Sequence, residues 1–113
     1  KYTSNILIVG DDLLATNKKR LEEAIAKKAV NAVIVKPNQI GTVTEAIDFA
    51  KLAKSNNLKL VVSHRSGETE DTFISDFAVG VAAEYLKFGA PSRGERVCKY
   101  NRLLRIEERL FAR

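Results

Sequence analysis

The sequence predicts an α/β fold of four consecutive βα units, the equivalent of half a (β/α)8 barrel. Short apolar, β-branched runs begin at residues 5, 32, 59 and 86, a constant step of 27 residues. Each run is followed by a stretch of helical periodicity, as in parallel strands joined by right-handed crossovers. Each run also leads into a residue able to do chemistry: Asp11, Lys36, His64 and Lys87 in turn. A doubly wound open sheet would satisfy the first two observations. The third favours the barrel, because (β/α)8 enzymes collect their reactive groups at the carboxyl ends of successive strands.

The first strand is expected at Asn5–Val9, NILIV, apolar throughout as a strand buried on both faces should be. A polar turn leads to a helix over Asn17–Ala29, with Leu21, Ala24, Ile25 and the stem of Lys28 at helical spacing and Glu23 and Lys27 ordered as an i,i+4 pair. Ala32–Val35 is the second strand. Thr42 and Glu45 then form a capping box for a helix striped by Val43, Ala46, Ile47, Ala50 and Ala53, which Asn56 and Asn57 close. Lys59–Ser63 is the third strand, and Phe73–Tyr85, rich in small residues, is the third helix. Leu86–Phe88 opens the fourth unit. Its helix, Gly94–Leu110, presents Val97, Tyr100, Leu103, Leu104, Ile106 and Leu110 as a broad apolar face.

A chain of 113 residues with 45% hydrophobic and 29% charged residues is enough for one globular unit, here residues 1–113, and not for two. No apolar run approaches the roughly 20 residues that cross a bilayer, and the amino terminus shows no secretory pattern. The single cysteine, Cys98, sits among apolar helix positions and reads as a buried, reduced thiol, so a cytoplasmic location is expected. Net charge is +5, and most of it falls on residues 93–113, where seven Lys or Arg face three Glu. Such a helix reads first as a solvated face laced with ion pairs; its aromatic pattern does not support base stacking, so nucleic acid is not the expected partner.

The chemistry concentrates in Val61–Phe73, VVSHRSGETEDTF, where a strand ends in His64, Arg65, Ser66 and Gly67. A guanidinium fork matches phosphate oxygens, and a serine hydroxyl adds a neutral hydrogen bond. Beside it stand VIVKPNQIG at 33–41, LKFGAPSRGER at 86–96, GDDLLATN at 10–17 and KYNRLLRIEE at 99–108. Taken together, from Ile8 to Leu110, these blocks resemble the carboxy-terminal signatures of the enolase family, which dehydrates 2-phosphoglycerate to phosphoenolpyruvate. The resemblance implies that the four units are the second half of a TIM-type barrel.

It also implies roles. Lys36 matches the family's base, which takes the C2 proton; Asp11 matches a Mg²⁺-ligand aspartate. His64, Arg65 and Ser66 match the substrate-binding histidine and the phosphate-holding pair, and Lys87 matches the lysine that meets the substrate carboxylate. A lysine base must be neutral, so positive charge from Lys87 and the metal is expected to lower its pKa. Asp12 is expected to point elsewhere, as a turn residue, while Asn38 and Gln39 fix the loop after the second strand. Glu68, Glu70 and Asp71 read as loop and helix N-terminal residues, and Arg93 and Arg96 as structural. Phe88 departs from the small hydroxyl residue usual after the second lysine, and would impair substrate fit if it crowded the site.

The family's remaining metal-ligand carboxylates and its general acid have no counterpart here, so the isolated chain is expected to be inactive. Its partners would be the missing amino-terminal half, or a second copy joined through exposed barrel edges. A free-standing truncated enolase-like protein with a binding or scaffold role is the alternative, and a basic interaction module a third reading.

Overall fold

A computed structural model describes residues 5–112. The elements run β1 (Val9–Gly10), α1 (Lys18–Ala26), β2 (Ala32–Val35), α2 (Pro37–Ile40), α3 (Val43–Ser55), β3 (Lys59–Ser63), α4 (Phe73–Gly80), β4 (Tyr85–Lys87) and α5 (Gly94–Leu110). The four strands form one parallel sheet in the order β1-β2-β3-β4, with Val9 opposite Ala32, Ala32 opposite Lys59 and Val61 opposite Tyr85. Doubly wound sheets reverse their strand order at a switch point. This sheet adds each new strand beside the last, which is how a barrel wall grows.

The core lies between sheet and helices. Val33 and Val35 of β2 and Leu60 and Val62 of β3, alternate residues of each strand, pack with Leu21 and Ala24 of α1, Phe49, Ala50 and Ala53 of α3, and Phe77 and Ala78 of α4. Small residues on α3 let that helix approach the strands closely. Thr42 caps α3 as expected, its Oγ1 accepting the Glu45 N–H at 3.2 Å, although the Glu45 carboxylate takes the Thr42 hydroxyl rather than the backbone. A bidentate pair from Arg102 to Asp76, at 2.9 and 2.5 Å, ties α5 to α4 and holds the Asp76 carboxyl below its ordinary pKa.

Four boundaries differ from expectation. The apolar run at residues 5–9 is strand only at Val9 and Gly10. Instead the Asn31 side chain binds this segment, accepting the Ile8 N–H at 2.6 Å and donating to the Ile6 carbonyl at 2.8 Å. With one neighbouring strand, Ile6, Leu7 and Val9 stay about half exposed, and the composition that signalled burial is not realised. Helix α1 ends at Ala26 rather than Ala29, and α4 at Gly80 rather than Tyr85. Both stop because the next residues turn left-handed, Lys28 at φ 49° and Ala82 at φ 50°. The fourth strand therefore starts at Tyr85, and the proline of VIVKPNQIG opens the one-turn helix α2.

Two side chains also differ. Cys98 is half-buried, its thiol 3.6 Å from the Glu95 carbonyl, because the face of α5 that enters the core is centred on Lys99. Leu104 and Leu110, counted on the apolar face, remain exposed. Phe88 is fully buried against Tyr100, with ring centroids 6.0 Å apart, so it faces the α5 side and does not crowd the site.

Candidate active site

Each strand delivers its reactive residue at its carboxyl end. Asp11 follows β1, Lys36 follows β2 and caps α2, His64 follows β3, and Lys87 closes β4. The His64 N–H donates to the Lys87 carbonyl at 3.1 Å, which carries the β3–β4 ladder one residue further and fixes these two beside each other. Asp12, Lys36, Gln39, His64, Arg65, Ser66 and Lys87 line one polar cleft of about 320 Å³.

Asp11 is not among the residues lining this cleft but bridges its lysines. Its Oδ1 accepts from Lys36 Nζ at 2.6 Å, and its Oδ2 lies 4.0 Å from Lys87 Nζ. Asp12, expected to face away, lines the cleft, with Oδ1 3.4 Å from Lys36 Nζ. The Lys36 pKa is consequently raised, chiefly by its hydrogen bond to Asp11, with burial opposing. The expected lowering, which presupposes the metal, requires that this bond to Asp11 be broken. His64 is shifted the other way. Burial lowers its pKa first, the Glu68 charge opposes, and Arg96, Lys99 and Lys87 add to the lowering. Its Nδ1 is buried without a hydrogen-bond partner among the described residues.

The loop from Arg65 is a tight turn. Arg65 N–H donates to Glu68 Oε1 at 3.0 Å, and Gly67 sits at φ 76°, where a side chain would be strained. Gly89 permits a second close approach. A Cβ there would lie 2.9 Å from Arg96 Cδ and 3.1 Å from His64 Cε1, so Arg96 packs at the rim of the site.

Two residues that hold the site are not evident from sequence. Thr16 is fully buried at φ 49°; its Oγ1 accepts the Lys36 N–H at 3.0 Å and donates to Gln39 Oε1 at 3.0 Å. It thereby locks the backbone of Lys36 and the orientation of Gln39. Lys99 is also fully buried, 3.3 Å from Glu68 Oε2. Neither residue type signals burial, and Lys99 lies within a run of exposed charge; only its place one turn beyond Glu95 on the core side could have suggested it.

The family described as the enolase C-terminal TIM barrel domain matches residues 1–113. The chain belongs to the enolase family. Proteins named enolase from Metallosphaera sedula, Saccharolobus solfataricus and Ureaplasma parvum are 60%, 56% and 54% identical to it, over 91%, 94% and 97% of its length. The chain spans about 25% of each of these curated relatives. The four-stranded parallel arc is thus a portion of an enolase-family barrel.

The donor set suits a hard cation only in part. Asp11 offers carboxylate oxygens, the type Mg²⁺ prefers, and Asp12 stands nearby. Among the described residues no group of three or more His, Cys, Asp or Glu could hold a metal ion, so further ligands must come from water, substrate or other residues. No helix of the described residues is long and apolar enough to cross a membrane.

Proposed function

We propose that this chain is part of an enolase, the lyase that reversibly dehydrates 2-phosphoglycerate to phosphoenolpyruvate in glycolysis, acting with Mg²⁺ in the cytoplasm. One observation carries the proposal: Lys36, His64, Arg65, Ser66 and Lys87 converge on a single cleft, with the Asp11 carboxylate between the two lysines.

Arg65 and Ser66 bind the phosphate group, and Lys87 meets the substrate carboxylate. Lys36 takes the C2 proton. Asp11 would hold a hard divalent cation, which would supply positive charge next to the substrate carboxylate, as is general in the enolase superfamily. While Lys36 is bonded to Asp11 it is protonated and cannot accept a proton. Loss of that bond and repulsion from Lys87 together favour the neutral amine the reaction needs. The isolated 113-residue chain is expected to show no turnover, since Lys36 needs a general acid opposite it to help hydroxide leave.

The test uses the intact polypeptide that contains this chain, assayed with 2-phosphoglycerate and Mg²⁺. Lys36→Ala should cost about 10²–10⁴-fold in turnover, the range for removal of a general base, while substrate still binds. Turnover unaffected by Lys36→Ala would remove the proposal.

A further inference from the structure

Of the buried polar side chains Thr16, Ser63, Ser75 and Lys99, only Lys99 carries a full charge. Its ammonium donates to the Thr69 carbonyl at 2.9 Å and to the Glu95 carbonyl at 2.5 Å, and lies 3.3 Å from Glu68 Oε2. Two hydrogen bonds to carbonyls and one ion pair thus surround the buried ammonium. Glu68, in turn, accepts the Arg65 N–H on its other oxygen at 3.0 Å. On the far side, the Lys99 carbonyl accepts the Ser75 hydroxyl at 2.8 Å, which anchors this point of α5 to α4.

A buried charge is costly unless paired, and an apolar side chain would fill the same space without that cost. What Lys99 adds over an apolar residue is a grip on residues 68 and 69, the second half of the loop that begins with Arg65 and Ser66. Lys99 does not line the cleft, so it has no contact with a ligand there.

We propose that Lys99 is a positioning residue for the phosphate-binding loop: it fixes Glu68, Glu68 fixes the Arg65 backbone, and the turn so held aims Arg65 and Ser66 at the substrate's phosphate group. This inference rests on the enolase reading of the site. It has a particular signature. Without Lys99, Glu68 becomes an uncompensated carboxylate, 17% exposed, attached to the very loop that must receive an anion. Phosphate affinity then falls, and removing the Glu68 charge restores part of it.

The experiment measures turnover of 2-phosphoglycerate and its inhibition by inorganic phosphate in the intact polypeptide. Lys99→Met should raise KM and the phosphate inhibition constant by about 10- to 100-fold, the scale of a small misplacement of binding groups, with kcat changed far less. Adding Glu68→Gln should recover a substantial part, because the amide oxygen still accepts the Arg65 N–H without carrying charge. Should Lys99→Met not fold, Glu68→Ala alone must raise KM by about tenfold, roughly one hydrogen bond. An unchanged KM in Lys99→Met, or in Glu68→Ala where that substitute is needed, overturns the inference. So does a loss that Glu68→Gln leaves unrelieved. An unaltered protein with neither turnover nor phosphate inhibition would remove the enolase reading as well, which an active protein indifferent to Lys99→Met would not.

Discussion

Asp11 divides its two carboxylate oxygens between Lys36, at 2.6 Å, and Lys87, at 4.0 Å. The motifs single these residues out, but not this pairing: 25 positions separate Asp11 from Lys36, and spacing alone does not state which charge neutralises which. Thr16 was hidden for a different reason. Before a helix, threonine and asparagine both read as caps, and Asn17 takes that role by accepting the Arg20 N–H. Thr16 is left to turn inward, at a left-handed φ that a β-branched residue rarely tolerates. Strain of this kind persists where the surroundings require it, and here the requirement is a hydroxyl that serves Lys36 and Gln39 at once. Thr16→Val keeps the β-branched shape and the same backbone strain, and removes only the hydroxyl. It should lower stability by about 1–3 kcal/mol, the cost of leaving buried polar groups unsatisfied, read as a lower urea midpoint of the intact polypeptide. An unchanged midpoint would mean that water replaces the hydroxyl and that the loop does not depend on it.

The helices α1, α3 and α4 end in the same way. After each C-cap the chain turns left-handed at Lys28, Asn57 or Ala82, and paired backbone bonds close the end: Ala29 N–H to Ala24 O, Leu58 N–H to Ala53 O and Ala83 N–H to Ala78 O, all at 3.0 Å. Asparagine at the second of these ends announced itself, which is why the close of α3 was legible. Lysine and alanine do not, so α1 and α4 were read too long, and the fourth strand too late. β2 and β3 have their expected bounds because a strand paired on both sides keeps an apolar centre, AVIV in β2 and LVV in β3, whereas β1, at an edge, need not realise its composition. The left-handed alanine yields a prediction. Ala82→Gly relieves a steric cost of about 1–2 kcal/mol and gives back part of it as unfolded-chain entropy. The net gain should be about 0.5–1 kcal/mol, measured as a raised denaturation midpoint. A loss of stability would show that the Ala82 methyl packs better than the conformation costs.

At the scale of the molecule the four units do not close on themselves. Among the described residues β1 has one strand neighbour, β2, and β4 has one, β3, while Val9, Tyr85 and Leu86 are 40–47% exposed along those edges. The accessible surface is 7568 Å², against about 6,200 Å² for a compact protein of this mass, and the radius of gyration is 14.6 Å, against about 13 Å for a compact domain of this length. Both excesses follow from one cause. A parallel sheet is stable when helices or further strands cover both its faces and its edges, and here β1 and β4 each leave one edge without a strand neighbour among the described residues. Packing along the helix-covered face can fold the arc, but an open arc with apolar edges should not stay solitary in water. The 113-residue chain, prepared alone at micromolar concentration, is therefore expected to self-associate in sedimentation and to bind a hydrophobic dye. The intact polypeptide, which would close the barrel, should do neither at its edges. A monodisperse monomer of the 113-residue chain without dye binding would mean that the arc satisfies its own edges, and that the half-barrel is a stable unit rather than a portion of one.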